Sequence, residues 1–158
     1  MRKVLELIGA AALAALFWIT CAAMTGPNRL PDKIPTHFDI AGNPNAWGSS
    51  SSLFLIPVVG LVLYLSITIV SQFPSVFNYP VRITPENRPR LQALAVHMIT
   101  WLKVETICLF LWIQSSTIGS ARHQALGLPL MLMPFSLLAV FLTMSWYIVA
   151  MRRAAKPQ

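Results

Sequence analysis

The sequence predicts an all-α integral membrane protein, a four-helix transmembrane bundle with a small cap formed by the first loop. Of its 158 residues 56% are hydrophobic and 11% are charged, whereas a soluble domain is about 45–50% apolar and roughly 25% charged. Disordered chains are poor in apolar residues, which excludes disorder as well. Residues 1–158 are therefore interpreted as one polytopic membrane domain.

Four apolar stretches are long enough to cross a hydrocarbon layer about 30 Å thick. The predicted spans are residues 4–24, 53–73, 91–113 and 128–151. Glycine and proline residues separate them, as expected for loops. Residues 49–52 offer serine hydroxyls to cap the second span, and Pro57 falls in its first turns, where a missing amide costs least. Pro134 lies deeper in the fourth span and is expected to kink it.

The positive charges predict the orientation of the spans. Eight lysines and arginines flank the ends on the side of both termini, and three lie on the opposite side. Cytoplasmic loops carry the excess of such residues, so both termini are expected in the cytoplasm, with the chain in the bacterial inner membrane. The net charge of +7 is thus interpreted as basic residues at the ends of the spans, which contact lipid headgroups and orient the chain in the membrane. We therefore expect no nucleic-acid binding. Cleavage of the first span as a signal peptide is the alternative.

The first loop, residues 25–52, is the one long polar segment. Residues 34–40 alternate apolar and polar side chains as a strand does. Residues 41–45 then form a predicted turn, in which Gly42 takes a positive φ and Pro44 fixes its own. Trp47 is suited to the membrane interface. These features predict a short β-hairpin that caps the outer ends of the helices, with Asn43 at its turn.

Three segments carry a resemblance to a known family: residues 30–38, residues 42–49, and residues 77–87 with Asn78, Tyr79, Pro80 and Asn87. They resemble a bacterial membrane domain of unknown function that also forms the N-terminal part of SdpI-type immunity proteins. The chain is similar to short, stand-alone members. The resemblance implies a membrane fold, and in the immunity proteins it is associated with protection from a secreted toxin and signalling through a membrane-held repressor.

His37 and Asp39 are the polar pair of the predicted cap. Their spacing of two places both on one face of a strand. Two ligands are fewer than the three or four of a zinc site, so we expect no metal and favour hydrogen bonds that fix the loop.

The third predicted span carries Lys103 and Glu105, with His97 earlier in it. Ionisable groups within a membrane are functional candidates. Lys103 and Glu105 lie about 200° apart around a helix, so each needs a partner from another helix, water or another subunit. The three side chains either line a polar cavity for a substrate or protons, or serve structure. Glu6, beside Arg2 and Lys3, is expected at headgroup depth.

No motif of an enzyme is present, and we expect neither catalysis nor a cofactor. A disulfide between Cys21 and Cys108 is an alternative to two buried thiols. The leading hypothesis is a small membrane protein that binds an envelope peptide or a partner membrane protein through its cap. The alternative is a small transporter or channel component that uses the polar residues of the third span. Besides the bilayer, a homo-oligomer remains open as a partner.

Overall fold

The computed structural model describes residues 1–123 and 132–156, with side chains from 1–122 and 133–156. Four α-helices and one hairpin make up this part of the chain. The helices are α1 (Arg2–Met24), α2 (Leu55–Val70), α3 (Arg88–His123) and α4 (Leu132–Ala154), and the strands are β1 (Lys33–Phe38) and β2 (Pro44–Ser49). Short 3₁₀ turns lie at Ser50–Phe54 and Pro74–Val76. The four helices are long and apolar enough to cross a membrane, as predicted.

The core of the bundle lies where α1 and α2 pack against the middle of α3. Leu16 and Ile107 are almost fully buried there, with Ala12 and Leu13 beside them. Gly9 permits this approach, because a Cβ atom at its position would lie 3.1 Å from the Tyr64 ring and 3.3 Å from Val104. Small residues at such crossings are typical of membrane helices.

The predicted hairpin is present. β1 and β2 pair antiparallel, with Ile34 opposite Gly48 and Pro35 opposite Trp47, and the pairing is irregular around His37. Gly42 has a φ of 84°, as its place in the turn predicts. The base of the hairpin is buried against the ends of α1 and α3 in a cluster formed by Ala23, Leu30, Ile34, Leu53, Ile118 and Ala121.

The opposite end of the bundle holds the N-terminus, the α2–α3 connection and the end of α4. Leu91 and Ala95 of α3 pack there against Tyr147 and Met151 of α4. Phe77, Tyr79 and Val81 of the connection cover this cluster. The connection is therefore a packed segment rather than a loose linker.

Most helix boundaries differ from the prediction by a few residues. The first two residues of the predicted second span, 53 and 54, belong to the 3₁₀ turn Ser50–Phe54, which Ser49 caps with its Oγ accepting from Ser51 N. Pro57 is the third residue of α2. α3 runs ten residues past the predicted end of the third span. Its polar residues there are hydrogen-bonded, Gln114 to Thr20 on α1 and Thr117 to Ile113 O within α3. Pro134 lies in the first turn of α4 as described, where the helix requires no kink. Gly127 and Pro129 lie outside the described residues.

Candidate functional site

The tip of the hairpin is held by Asp39, one residue beyond β1. Its Oδ1 accepts hydrogen bonds from Ala41 N at 2.9 Å and Asn43 N at 2.8 Å. Its own backbone bonds Asn43 O and Gly42 N, each at 2.9 Å. These donors, the Asn43 amide first, lower the pKa of the Asp39 carboxyl below its ordinary value. Asp39 therefore bonds backbone groups of the loop, as expected for a residue that fixes its shape, although it lies in the turn and not in the strand.

His37 joins the two strands of the hairpin through its side chain. Its Nδ1 is hydrogen-bonded to Asn45 Oδ1, a side-chain pair that sequence reasoning did not foresee. This contact fits the interpretation of His37 as a residue that fixes the loop through a hydrogen bond. Among residues 1–122 and 133–156, no group of three His, Cys, Asp or Glu side chains has a geometry that could hold a metal ion.

Two large apolar side chains of the hairpin are exposed. Ile40 in the turn is 98% exposed, and Trp47 on β2 is 54% exposed. Asn43 is also exposed, while Gly42 is buried and Pro44 half-buried. Ile40 was missed as a candidate because its apolar character placed it in a strand pattern. The available signal was the position of Ile40, an apolar residue two positions before Gly42 and next to the predicted turn.

Lys103 is the central ionisable residue of the bundle, with a side chain only 1% exposed. Its Nζ lies 2.6 Å from Glu6 Oε2 and donates to Thr68 Oγ1 at 2.8 Å. It also lies 4.3 Å from the centre of the Tyr64 ring, a cation–π contact. Lys103 thus takes its partners from α1 and α2, as its angular separation from Glu105 required.

Glu6 has a partner that was not predicted from the sequence. Glu6 lies one turn into α1, but its carboxylate turns into the bundle and pairs with Lys103. The Tyr64 hydroxyl donates to Glu6 Oε2 at 3.2 Å, and Oε1 lies 4.0 Å from Arg2 Nε. The cause is helix offset: α1 packs beside the middle of the long α3, so an early residue of α1 meets a central residue of α3. Sequence spacing within one helix cannot reveal such an offset.

Glu105 faces the other way, toward α4. Thr143 Oγ1 donates to Glu105 Oε1 at 2.6 Å. Glu105 Oε2 is buried and has no hydrogen-bond partner among the described residues. Other parts of Glu105 border a cavity of about 290 Å³ between α3 and α4, which Thr106, Cys108 and Trp112 also line. Thr143 thus supplies the partner from another helix that was expected for Glu105. The polar residues Thr100 and Thr106 of α3 bond carbonyls of their own helix, and Gln114 bonds Thr20.

His97 lies apart from both groups. It borders a separate cavity of about 400 Å³ at the end of α2, together with Arg2, Ser71 and Gln72. The structure therefore does not bring His97, Lys103 and Glu105 into one polar cavity. Each has its own surroundings, and Lys103 is closed off within the bundle.

The residues of the α2–α3 connection have packing and capping roles. The Tyr79 hydroxyl donates to Pro74 O at 2.7 Å, and the pKa of Tyr79 is raised by its partial burial. Asn87 Oδ1 accepts from Thr84 N at 2.8 Å while Thr84 Oγ1 accepts from Asn87 N at 3.4 Å, a reciprocal box before α3. Asn78 and Pro80 are exposed.

The two cysteines form no disulfide. Cys21 on α1 and Cys108 on α3 are both free, and both are exposed on the surface of the described residues. The alternative of a covalent link between α1 and α3 is therefore wrong, and so is the burial expected of unlinked thiols.

Comparisons with known proteins support the resemblance in part. Residues 8–61 match a family described as a domain of unknown function, DUF1648. This segment comprises most of α1, the hairpin and the start of α2. An uncharacterized protein from Archaeoglobus fulgidus is 27% identical over 74 residues, which are 42% of this chain and 39% of that protein. The chain thus spans about two fifths of that relative. No solved structure matches the chain significantly.

Proposed function

We propose that this protein acts by interaction, binding an extracytoplasmic peptide or a partner membrane protein at the exposed tip of its hairpin. The observation that carries the proposal is the combination of a tightly bonded hairpin with two exposed apolar side chains, Ile40 and Trp47. A partner that buried either side chain would gain about 1.5–3 kcal/mol from each. Tryptophan is also enriched among residues that dominate binding energies.

The rigidity of the hairpin supports the same proposal. Its turn is fixed by Asp39, its strands are joined by the His37–Asn45 pair, and its base is packed against α1 and α3. Binding to such a surface requires little ordering of the loop, so more of the contact energy is retained as affinity.

The resemblance to SdpI-type immunity proteins adds a secreted toxin to the proposal as a class of partner. A role in immunity or signalling would require the hairpin to face outward from a bacterial inner membrane, with both termini in the cytoplasm. The distribution of eight against three basic residues supports that orientation.

The transporter alternative receives less support from the geometry. A transport path needs connected polar groups, whereas His97, Lys103 and Glu105 lie in three different surroundings. Lys103 in particular already bonds Glu6 and Thr68.

Orientation is tested first, by labelling single cysteines in a Cys21→Ser/Cys108→Ser background. A cysteine at Ile40 should react with a membrane-impermeant maleimide in intact cells, and one at Ser75, in the α2–α3 connection, should react only after lysis. The reverse pattern would place the hairpin in the cytoplasm and overturn the proposal.

Binding is tested by incorporating the photo-crosslinker p-benzoylphenylalanine at Ile40. We expect a crosslinked product of defined mass that is lost when Trp47 is changed to Ala and retained in Glu105→Gln. The matched control carries the crosslinker at Val76, which is 72% exposed at the opposite end of the bundle. Absence of a product at Ile40, or the same product at Val76, would contradict the proposal.

A further inference from the structure

We propose that the groove between the start of α3 and the end of α4 binds an anionic phospholipid. Arg90 and Arg153 would hold its phosphate, and the apolar side chains next to them would hold an acyl chain. The groove lies at the end of the bundle opposite the hairpin, whose base packs near the other end of α3. Its occupancy therefore does not depend on the function proposed for the hairpin tip.

Two arginines come together at one end of the groove. Arg90 is the third residue of α3 and Arg153 is the last but one of α4, and both border a cavity of about 720 Å³ between these helices. Both are exposed, and neither forms a salt bridge with a carboxylate among residues 1–122 and 133–156. They are therefore available to an external anion, and arginine binds a phosphate through two parallel hydrogen bonds.

The rest of the groove is mostly apolar and follows one face of α4. It includes Leu142, Trp146 and Val149 of α4, together with Leu94 of α3. The three side chains of α4 are exposed and repeat every three or four residues, as positions on one helix face do. Leu142 and Arg153 are eleven residues apart, which is about 16 Å along the helix. This is about half the thickness of the hydrocarbon layer, so the groove has the length of one leaflet.

A second cavity that shares Arg90 determines the kind of headgroup. Its volume is about 450 Å³, and Lys156 also borders it. Glu86 is the one carboxylate side chain among the described residues around the two cavities, against the three basic side chains of Arg90, Arg153 and Lys156. An anionic headgroup complements this charge, whereas the ammonium group of a zwitterionic lipid is repelled. Phosphatidylglycerol has such a headgroup.

The first experiment compares phosphatidylglycerol with phosphatidylcholine of identical acyl chains. Native mass spectrometry of the full chain in detergent measures how much of each lipid the protein retains. We expect phosphatidylglycerol to bind about ten- to thirtyfold more tightly, because two basic residues attract its net charge. The double variant Arg90→Gln/Arg153→Gln should lose this preference.

The matched control removes two arginines from the other end of the bundle. Arg29→Gln/Arg122→Gln changes the net charge by the same amount, and both of these side chains are exposed. It should retain the wild-type preference for phosphatidylglycerol. Gel filtration establishes that each variant is folded.

The acyl chain distinguishes a phospholipid from a free phosphate as the ligand. Glycerophosphoglycerol carries the headgroup of phosphatidylglycerol without its acyl chains, and it should not displace the lipid even in large excess. Displacement by an equal concentration of glycerophosphoglycerol would show a site for soluble anions and would contradict the proposal.

A photoactivatable phosphatidylglycerol locates the bound lipid. With a diazirine in its acyl chain, the probe should label residues 142–149 of α4 several-fold more than Val62 and Leu65, which are exposed on α2. The same diazirine on phosphatidylcholine should label the two helices alike, and Arg90→Gln/Arg153→Gln should remove the enrichment on α4. Equal affinity of the wild type for the two lipids, an unchanged preference in Arg90→Gln/Arg153→Gln, or equal labelling of α2 and α4 by the phosphatidylglycerol probe would overturn the proposal.

Discussion

Lys103 Nζ lies 2.6 Å from Glu6 Oε2, although the two residues are 97 positions apart in the chain. This ion pair joins α1 to α3, and Thr68 and Tyr64 of α2 complete its surroundings. Three helices therefore share one charged centre. Moving either charge into an apolar environment alone is costly, so the pair forms only when the helices pack in this register.

The first prediction concerns this pair. Lys103→Met leaves the Glu6 carboxylate without its cation, and removing one partner of a buried pair costs about 3–5 kcal/mol. The Glu6 side chain is 27% exposed, which places the expected loss of unfolding free energy near the lower value. The measurement is an SDS titration of the protein in micelles, followed by circular dichroism.

The double variant Lys103→Met/Glu6→Gln tests whether the pair, rather than the lysine stem, is responsible. It should be more stable than Lys103→Met alone, because no unpaired charge remains. Lys3→Met, which removes an exposed charge from the same end of the bundle, should change stability by less than about 0.5 kcal/mol. If the separate effects of Lys103→Met and Glu6→Gln on the free energy of unfolding simply add in the double variant, the two side chains are not coupled.

The second prediction concerns the helix crossing at Gly9. Gly9→Leu should destabilise the bundle by about 1–3 kcal/mol, as overpacking usually does, since the space is taken by Tyr64 and Val104. The neighbouring change Ala10→Leu points to the exposed face of α1 and is the matched control. If the two variants unfold at the same temperature, the three helices do not meet closely at Gly9.

Local patterns in the sequence predicted most of the fold. Apolar length gave the four helices, and the alternation before Gly42 gave the hairpin and its turn, because both depend on residues close together in the chain. The end of α3 and the partner of Glu6 depend instead on how the helices are offset against each other. That offset follows from packing around Gly9 and Leu16, which no single segment encodes. The division of His97, Lys103 and Glu105 among three sites has the same origin.

The third prediction concerns Gln114, the polar residue that lies beyond the predicted end of the third span. Its Nε2 donates to Thr20 Oγ1 at 2.8 Å and to Leu53 O at 2.9 Å, so it ties α3 to α1 and to the start of α2. Gln114→Met preserves much of the volume but leaves both acceptors unpaired, at an expected cost of about 1–3 kcal/mol. Ser115→Ala, at an exposed neighbour bonded only within α3, should have little effect. Equal unfolding free energies for Gln114→Met and Ser115→Ala would contradict this role.

The last prediction concerns the pH dependence of the hairpin tip. The Asn43 amide and the other turn donors hold the pKa of Asp39 below its ordinary value of 3.8. A carboxyl group with a lowered pKa in the folded state stabilises that state above its unfolded pKa, and the contribution is lost as the pH falls through the folded value. The hairpin turn should therefore loosen below about pH 4, seen by NMR as a shift and broadening of the Ala41 and Asn43 amide signals. Asp39→Asn should show the loosened turn already at pH 7, with these signals nearly independent of pH. A wild-type turn that keeps both amide signals unchanged down to pH 2 would show that the carboxylate does not hold it.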